Sequence, residues 1–400
     1  MDALGCTPIR RDAGPDGIAG GRQRASSSRA PASPGSTRAA PAVSDPAAAG
    51  TLLASALAGK RLGDTVHFRR PLAVAGHEFT HAIVLREFGT GSGAQLLEIK
   101  PSGALFIFKL KDVQREHALM CAIRRMNRLW LQRGVTVQGL PVEAVTYGIT
   151  PLGREAGLVE YVPDSKTLYE LSQDCVAGER HLRVLRELGD HHERLDLLAA
   201  TTVGYLTMGY ALGVRDGHDD NLMVRSDGAF FRVDFEFAFG RTPEIDTPAT
   251  FVPNAVAVAL GQERWTEVQK VCRFALEALS GDGVRTLGLT IGGQPMVSLR
   301  TGSDVPAWDC LRCVPELGSL LPEARTYTRT LSLEAFDREV QRADQWSLSR
   351  AAKNAIREAV RRLTFDSELL PSKDWPTSLS GLLDIVAPPA CTSGSTVAEL

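Results

Sequence analysis

The chain has 400 residues, of which 44% are hydrophobic, and its formal net charge is -2 at neutral pH. This length and apolar content suffice for one large core or two lobes. A charge so close to zero gives no broad attraction to nucleic acid, so no nucleic-acid partner is expected. The seven cysteines are scattered, and the only CxxC joins Cys310 and Cys313. That usage indicates a reducing compartment, and a cytoplasmic location is expected.

Residues 1–60 are predicted to be a disordered leader. The first fifty are rich in Ala, Ser, Pro, Gly and Arg and hold few large apolar side chains, so they cannot offset the entropy lost on ordering. The apolar run TLLASALAG is too short to span a membrane, and no transmembrane segment is expected. An unstructured tail, a transit peptide and the leader of an injected bacterial effector all fit this composition. A disordered tail is also predicted, at residues 386–400.

The stretch HEFTHAIVLREFG begins with the H-E-x-x-H pattern of zinc peptidases. On a helix, His77 and His81 would lie one turn apart beside Glu78, the general base of such enzymes. The glycines that follow favour a strand over THAIVLREF instead. In a strand the two histidines stand about 13 Å apart, too far for one tetrahedral zinc. A zinc peptidase is therefore the weaker alternative.

Short apolar runs divided by turns follow, and they predict a lobe of strands over residues 61–162. THAIVLREF, AQLLEIK and ALFIFKL are the expected strands, with GTGSG between the first two. A helix is predicted from Asp112 to Arg133, and its spacing aims Glu116 at Lys109, the residue that ends the third strand. An amine leaving a buried strand needs such a partner.

A second lobe, mainly helical, is predicted over residues 163–385, which makes the fold class α+β. LLAATTVGYLTMGYALG indicates a helix that is buried on most sides. LMV and AFFRV predict a hairpin joined by the Asp-Gly turn of RSDG, which brings Asn221 close to Asp234. ERWTEVQKVCRFALEALS and the segment Leu333 to Thr364 predict further helices.

The polar residues of these segments have the order that phosphoryl transfer needs. The reaction requires a backbone cradle for phosphates, a lysine, a residue that orients the attacking hydroxyl, and oxygen ligands for magnesium. The glycines of GTGSG and then Lys109 supply the first two. Asp216 and Asn221 stand at the D-x-x-x-x-N interval, and Asp234 follows the hairpin.

Four blocks between about Phe88 and Pro253 resemble the catalytic domain of the phosphatidylinositol 3/4-kinase superfamily, which contains lipid kinases and related protein kinases. They are FKLKDVQREHALMCAIRRMNRLW, GLVEYV, DGHDDNLMV and VDFEFAFG. The resemblance implies a two-lobed protein-kinase-like fold, with an antiparallel sheet and one helix in the N-lobe and a mainly helical C-lobe. It implies an enzyme that uses ATP and Mg²⁺ to phosphorylate a hydroxyl group.

The resemblance also implies roles for individual residues. ATP contacts are expected from Gly89, Thr90, Gly91, Ser92, Gly93, Lys109, Glu116, Glu160, Tyr161 and Val162. Lys109 would contact ATP phosphate, and Glu160 to Val162 would offer backbone groups to adenine. Asp216 and His218 would act on the acceptor hydroxyl. Asn221 and Asp234 would hold magnesium.

Three positions depart from the family pattern. Gly217 stands where the family has Arg, His117 where it has Asp, and Glu236 where it has the Gly of Asp-Phe-Gly. Glu116 is the expected substitute for the missing Asp in the helix that faces the lysine. A non-catalytic pseudokinase that only binds nucleotide therefore stays open.

The loop after Asp234 bears on the acceptor. Lipid kinases of this superfamily bind inositol phosphates with basic residues, and here Arg241 is balanced by Glu236, Glu244 and Asp246. A protein hydroxyl, as in a Ser/Thr kinase, is the leading expected acceptor, ahead of a lipid or small-molecule alcohol. The leader joined to a kinase-like core raises the further expectation of a bacterial effector that acts in a host cell.

Overall fold

The N-terminal lobe is built on an antiparallel sheet. We analysed a computed structural model, which describes residues 42–88, 93–173, 180–189, 191–243, 250–280, 289–291, 294–296 and 307–344. The strands of this lobe are β1 (Thr65–Val74), β2 (His77–Glu87), β3 (Gln95–Lys100), β4 (Ala104–Lys109), β5 (Thr136–Val137), β6 (Leu140–Pro141), β7 (Ile149–Pro151) and β8 (Gly157–Glu160). Six of them pair in the order β1-β2-β3-β4-β8-β7, and β5 pairs with β6. This confirms the predicted sheet.

A helix that the sequence did not predict covers one face of the sheet. Helix α1 spans Pro46–Leu57 and begins at Asp45, whose side chain accepts a hydrogen bond from an amide of the first turn. It buries Leu53 and Leu57 in the same apolar cluster as the sheet residue Leu72. The predicted disordered leader is therefore wrong for residues 46–57, because TLLASALAG supplies a face of small apolar side chains. Residues 1–41 lie outside the described residues.

The H-E-x-x-H segment is a strand, as its neighbouring turn indicates. His77 is the first residue of β2, and its ring packs edge-on against Phe106 with the ring centres 5.6 Å apart. The ring of His81 stacks on His67 at 5.3 Å. The zinc-peptidase alternative is therefore wrong, because it requires both histidines on one face of a helix.

Helix α2 (Gln114–Gln132) matches the predicted helix to within two residues at each end. It packs against β7 of the sheet and reaches the C-terminal lobe, where the Trp130 indole donates a hydrogen bond of 2.8 Å to the carbonyl of Ala275. Its entry depends on Gly157 at the start of β8. A Cβ atom there would lie 2.1 Å from the side chain of Val113. A larger residue at this position would push α2 off the sheet.

The C-terminal lobe is mainly helical, as predicted. Its described elements are β9 (Ser165–Thr167), α3 (Leu168–Leu171), α4 (Arg180–Leu188), α5 (His192–Leu212), β10 (Leu222–Arg225), β11 (Phe230–Arg232), α6 (Asn254–Glu277), β12 (Leu289–Ile291), β13 (Gln294–Met296), α7 (Trp308–Leu311), a 3-10 helix (Pro315–Leu320), α8 (Leu321–Thr328) and α9 (Leu333–Val340). Helix α9 covers the start of the helix predicted to reach Thr364. Residues 345–364 lie outside the described part of the chain.

Helix α5 is the centre of this lobe. Every residue from Leu198 to Leu212 is buried, and α5 packs along α6. Gly204 permits a close approach, because a Cβ atom there would lie 2.2 Å from the carbonyl oxygen of Glu143. Gly213 ends the helix in the left-handed conformation, with φ of 58°. The chain thus leaves α5 directly into the loop that begins at Val214.

The predicted hairpin is present. Strands β10 and β11 pair antiparallel, with Met223 opposite Phe231, and β9 pairs on the other side of β10. Gly228 closes the turn with φ of 106°. The hairpin therefore returns the chain to the loop before β10.

Candidate active site

A buried ion pair joins the sheet to helix α2. Lys109 ends β4, and Glu116 lies in the first turn of α2. The Lys109 Nζ atom lies 3.2 Å from Glu116 Oε2, and Glu116 is only 2% exposed. The structure thus brings together the two residues that helical spacing paired. Their roles toward ATP stay predictions.

His117 does not share this contact. Its Nδ1 atom donates a hydrogen bond of 2.7 Å to the carbonyl of Ile149 in β7. Residue 117 is therefore engaged with the sheet backbone, and Glu116 is the carboxylate that meets the lysine.

A second lysine, which the sequence analysis did not single out, lies in the same cluster. The Lys111 Nζ atom is 3.1 Å from Glu116 Oε1, 3.1 Å from Glu236 Oε2 and 3.6 Å from Asp234 Oδ1. Burial alone would lower the pKa of this ammonium, but the carboxylates of Glu116 and Asp234 outweigh burial and raise the pKa of Lys111 above its ordinary value. Lys111 therefore stays charged and links α2 to the segment after β11.

The loop between α5 and β10 holds Asp216, His218 and Asn221 together. His218 Nε2 lies 3.5 Å from Asp216 Oδ2. Asn221 Nδ2 donates hydrogen bonds to the Asp216 carbonyl oxygen at 3.0 Å and to Asp216 Oδ2 at 3.3 Å. Asp216 adopts the left-handed conformation, with φ of 72°, which is uncommon for a residue with a Cβ atom. The D-x-x-x-x-N interval thus forms one compact loop, as predicted.

Asp234 follows β11 and is also left-handed, with φ of 65°. The amide of Val233 donates to the carbonyl of Asn221 at 2.9 Å, so the hairpin places the two predicted metal ligands beside one another. Strained backbone at two loop aspartates is a common property of functional sites.

Arg232 contacts both the loop at Asp216 and the segment at Asp234. The sequence pattern did not predict this role. It is 2% exposed, its Nη2 atom donates to the carbonyl of Arg215 at 2.6 Å, and its guanidinium lies 5.8 Å from the ring centre of Phe235. A buried cation held in this way fixes the spacing between the loop at Asp216 and the segment at Asp234.

Two of the three amides in the predicted hinge, Glu160 to Val162, already donate hydrogen bonds within the protein. The Glu160 amide donates to Gly148 at 2.8 Å, and the Tyr161 amide donates to Leu105 at 3.0 Å. Val162 is the one of the three whose amide has no hydrogen-bond partner within the described part of the chain. The Val162 amide is therefore the donor left for a ligand.

Most of the glycine-rich turn lies outside the residues that the structure describes. Residues Gly89, Thr90, Gly91 and Ser92 are not among the described residues. Gly93 is described, with φ of 57° and open space where a Cβ atom would be. The phosphate-cradle prediction for this turn stays a prediction.

The donor set fits magnesium bound together with a nucleotide. Asn221 donates from its amide nitrogen to Asp216, which leaves its side-chain oxygen as a ligand atom, and Asp234 follows directly after Val233, whose amide bonds the Asn221 backbone. Among the described residues, no cluster of three or more His, Cys, Asp or Glu side chains could hold a metal alone. Mg²⁺ commonly takes one or two protein oxygens and completes its shell with phosphates and water.

Comparisons with known proteins point to the same chemistry. A family model described as phosphatidylinositol 3- and 4-kinase matches residues 186–283, which include Asp216, Asn221 and Asp234. Phosphatidylinositol 3-kinase VPS34 of Saccharomyces cerevisiae is 30% identical over 179 residues, covering 44% of this chain and 20% of that protein. VPS34 of Arabidopsis thaliana is 26% identical over 211 residues, covering 50% of this chain and 24% of the relative. Residues 186–283 thus resemble, in divergent form, the phosphatidylinositol 3- and 4-kinases.

The similarity to these phosphatidylinositol kinases covers only part of each protein. The nodule isoform of phosphatidylinositol 3-kinase from Glycine max is 24% identical over 205 residues, which are 49% of this chain and 23% of that isoform. The chain thus spans about a quarter or less of these kinase relatives. No described helix has the length and apolarity needed to cross a membrane.

Proposed function

We propose that this protein transfers the γ-phosphoryl group of ATP to a hydroxyl group of an inositol lipid. The observation that carries the proposal is the meeting of β4, α2 and the segment after β11 in one cluster of charged side chains. Lys109 and Glu116 pair across the sheet and α2, and Lys111 extends this pair to Asp234. The similarity of residues 186–283 to phosphatidylinositol 3- and 4-kinases supports kinase activity.

Each residue has a role that its position supports. The Lys109 ammonium, held by buried Glu116, binds a nonbridging phosphate oxygen of ATP. Asn221 and Asp234 would hold magnesium, which would supply positive charge to offset the negative charge that develops on the phosphate oxygens. The acceptor oxygen forms a bond to the γ-phosphorus while the bond from phosphorus to the ADP oxygen breaks. The acceptor proton passes to the Asp216 carboxylate, either directly or through His218.

The names of the relatives and the charge of the loop after Asp234 support an inositol lipid as the acceptor. The relatives reported above are named phosphatidylinositol 3-kinases, which supports a lipid alcohol over the protein hydroxyl that loop charge alone favoured. Arg241 is already paired with Glu323 at 2.9 Å. An inositol head group without further phosphates therefore suits the site better than a polyphosphorylated one.

A protein hydroxyl is the second candidate acceptor. Arg241 is paired with Glu323, so it is not free to bind a phosphate of a lipid head group. A peptide acceptor carries no such phosphate and does not need that arginine. The two candidates are separable in one assay, since the label enters lipid or protein.

The test uses the purified full chain, radiolabelled ATP and magnesium. Phosphatidylcholine vesicles with phosphatidylinositol, the same vesicles without it, and a cell lysate serve as acceptors. Label is expected in the inositol lipid, and Asp234→Asn should reduce it to the level of the protein-free blank. Asp227→Asn is the matched control, because Asp227 lies in the turn of the same hairpin and pairs with Arg225 there.

The alternatives give different results. Label in lysate proteins and none in lipid would replace the lipid acceptor by a protein. Stabilisation by ATP without transfer to any acceptor would identify a pseudokinase, the outcome that Gly217 and Glu236 keep open.

A further inference from the structure

The position of Lys111 goes beyond the proposed reaction. Its ammonium has three N–H donors, and three carboxylates surround it, those of Glu116, Asp234 and Glu236. Because 24% of the Lys111 side chain and 35% of the Asp234 side chain are exposed, solvent screens their contact only in part, whereas Glu236 is largely exposed. One of the three carboxylates, Asp234, is a proposed magnesium ligand.

We propose that Lys111 is a built-in counter-cation of the metal site, which keeps divalent cations out until a nucleotide brings them in. The inference rests on the proposed function only in taking Asp234 as a metal ligand. Lys111 Nζ lies 3.6 Å from Asp234 Oδ1, whereas magnesium would bind a carboxylate oxygen at about 2.1 Å. An ammonium and a divalent cation so close together repel each other.

The charges of the cluster explain why the nucleotide matters. Two ammonium groups, Lys109 and Lys111, face the three carboxylates of Glu116, Asp234 and Glu236, which leaves one net negative charge when all five are ionised. A divalent cation that binds without a nucleotide gains little electrostatic energy from a cluster with only one net negative charge. A nucleotide adds its own phosphate charges, so the metal can enter without a net excess of positive charge.

Lys111 has other partners when the metal arrives. It can release Asp234 and keep Glu116 and Glu236, both at 3.1 Å. Glu116 also retains Lys109 throughout. Lys111 is therefore a positioning residue, which sets the affinity of the empty site for metal and couples metal entry to nucleotide.

The experiment measures binding of Mn²⁺ alone to the full-length protein by electron paramagnetic resonance, without nucleotide. Lys111→Met is expected to bind Mn²⁺ about tenfold more tightly than wild type, because one close positive charge is removed. Lys111→Arg keeps the charge and should retain the wild-type affinity. Lys100→Met is the matched control, because Lys100 also pairs with a carboxylate in the sheet but contacts Glu98.

Two further variants control for misfolding and for binding of Mn²⁺ at another site. Lys111→Gln replaces Lys111→Met if thermal unfolding shows that the methionine variant does not fold. Adding Asp234→Asn to Lys111→Met should remove the gain in Mn²⁺ affinity. Equal Mn²⁺ affinity of wild type and Lys111→Met, no binding to either protein, or a gain that survives Asp234→Asn would each overturn the inference.

The phosphoryl-transfer assay run on wild type separates the two proposals. Transfer without any effect of Lys111→Met on Mn²⁺ binding would overturn the counter-cation role alone. A gain in Mn²⁺ affinity without transfer to any acceptor would overturn the proposed function and leave the counter-cation role supported.

Discussion

Glu116 holds two ammonium groups at once, with Lys109 on one carboxylate oxygen and Lys111 on the other. If the charge of Glu116 is removed, Lys109 and Lys111 both lose the carboxylate that they share, and both ammonium groups lie largely out of solvent. Breaking a buried pair from one side costs about 3–5 kcal/mol, mostly because the remaining charge stays desolvated. Glu116 therefore stabilises the fold and, in the proposed reaction, positions Lys109 for the phosphates of ATP.

We expect Glu116→Gln to lower kcat/KM for ATP by about a hundredfold, since a misplaced lysine no longer aligns the phosphates. The free energy of unfolding in urea should fall as well. Radiolabel transfer and urea titration measure the two effects. Glu98→Gln, which breaks a pair with Lys100 on the same sheet, is the control. Full activity of Glu116→Gln would show that Glu116 does not position Lys109.

The CxxC residues Cys310 and Cys313 differ sharply in environment. Cys310 is 2% exposed, and burial raises the pKa of its thiol to about 12, while Cys313 is exposed. A thiol reacts with alkylating reagents as the thiolate, so burial and the raised pKa both protect Cys310.

Iodoacetamide at pH 8 should therefore label Cys313 in the native protein and leave Cys310 unlabelled. Peptide mass spectrometry measures both sites, and labelling in urea provides the fully exposed reference. Equal alkylation rates at Cys310 and Cys313 in the native protein would contradict the burial of Cys310 in α7.

At the scale of elements, α5 depends on its contact with the chain before β7. Gly204 faces the backbone at Glu143, and a Cβ atom would come within 2.2 Å of that carbonyl oxygen. Backbone cannot move aside as the tip of a side chain can. The helix and the neighbouring segment must therefore separate if a side chain is added.

We expect Gly204→Ala to destabilise the protein by about 1–3 kcal/mol, the usual cost of overpacking, although alanine is the better helix former. Gly204→Val should cost more. Thermal unfolding followed by circular dichroism measures the series. A higher melting temperature for Gly204→Ala than for wild type would contradict the close approach.

Elements with strong local signals could be predicted from the sequence, and elements that depend on distant partners could not. Helix α2 and the β10–β11 hairpin follow from apolar periodicity and an Asp-Gly turn. Helix α1 was missed because its small residues give a weak apolar pattern. The pairing of β9 with β10 joins segments more than fifty residues apart, and no local pattern encodes that choice.

The same limit applies to the site. The Lys109 and Glu116 pair follows from strand and helix geometry, since both residues lie in regular elements. Lys111 lies just past the end of β4, where no periodicity fixes the direction of a side chain. Its contacts with Asp234 and Glu236 cross 123 and 125 residues of sequence, so they depend on how the two lobes meet.

At the scale of the whole molecule, Glu323 of α8 joins the two lobes. Its carboxylate pairs with Arg115 at the start of α2 and with Arg241 in the segment after Asp234. The Arg115 side chain is 16% exposed, and its Nη1 atom is buried without a hydrogen-bond partner in the described structure. Losing Glu323 would leave this arginine buried without its counter-charge.

We expect Glu323→Gln to lower the free energy of unfolding by about 1–3 kcal/mol, with a discount because Glu323 and Arg241 are partly exposed. Activity should fall in parallel, because α2 loses a contact with the segment after Asp234. Urea unfolding and radiolabel transfer are the measurements, and Glu316→Gln on the exposed 3-10 helix is the control. An unchanged unfolding midpoint would show that Glu323 does not join the lobes.

Tyr327 gives α8 a second contact with the site. Its hydroxyl donates to the carbonyl of Tyr210 at 2.8 Å, and its ring lies against Gly213 and Phe239. The Tyr327 side chain thus contacts both the C-terminal end of α5 and the segment after Asp234. Because α8 begins 38 residues after the end of the family match, trimming the chain to the matched segment would remove Tyr327 and its contacts with the end of α5 and with the segment after Asp234.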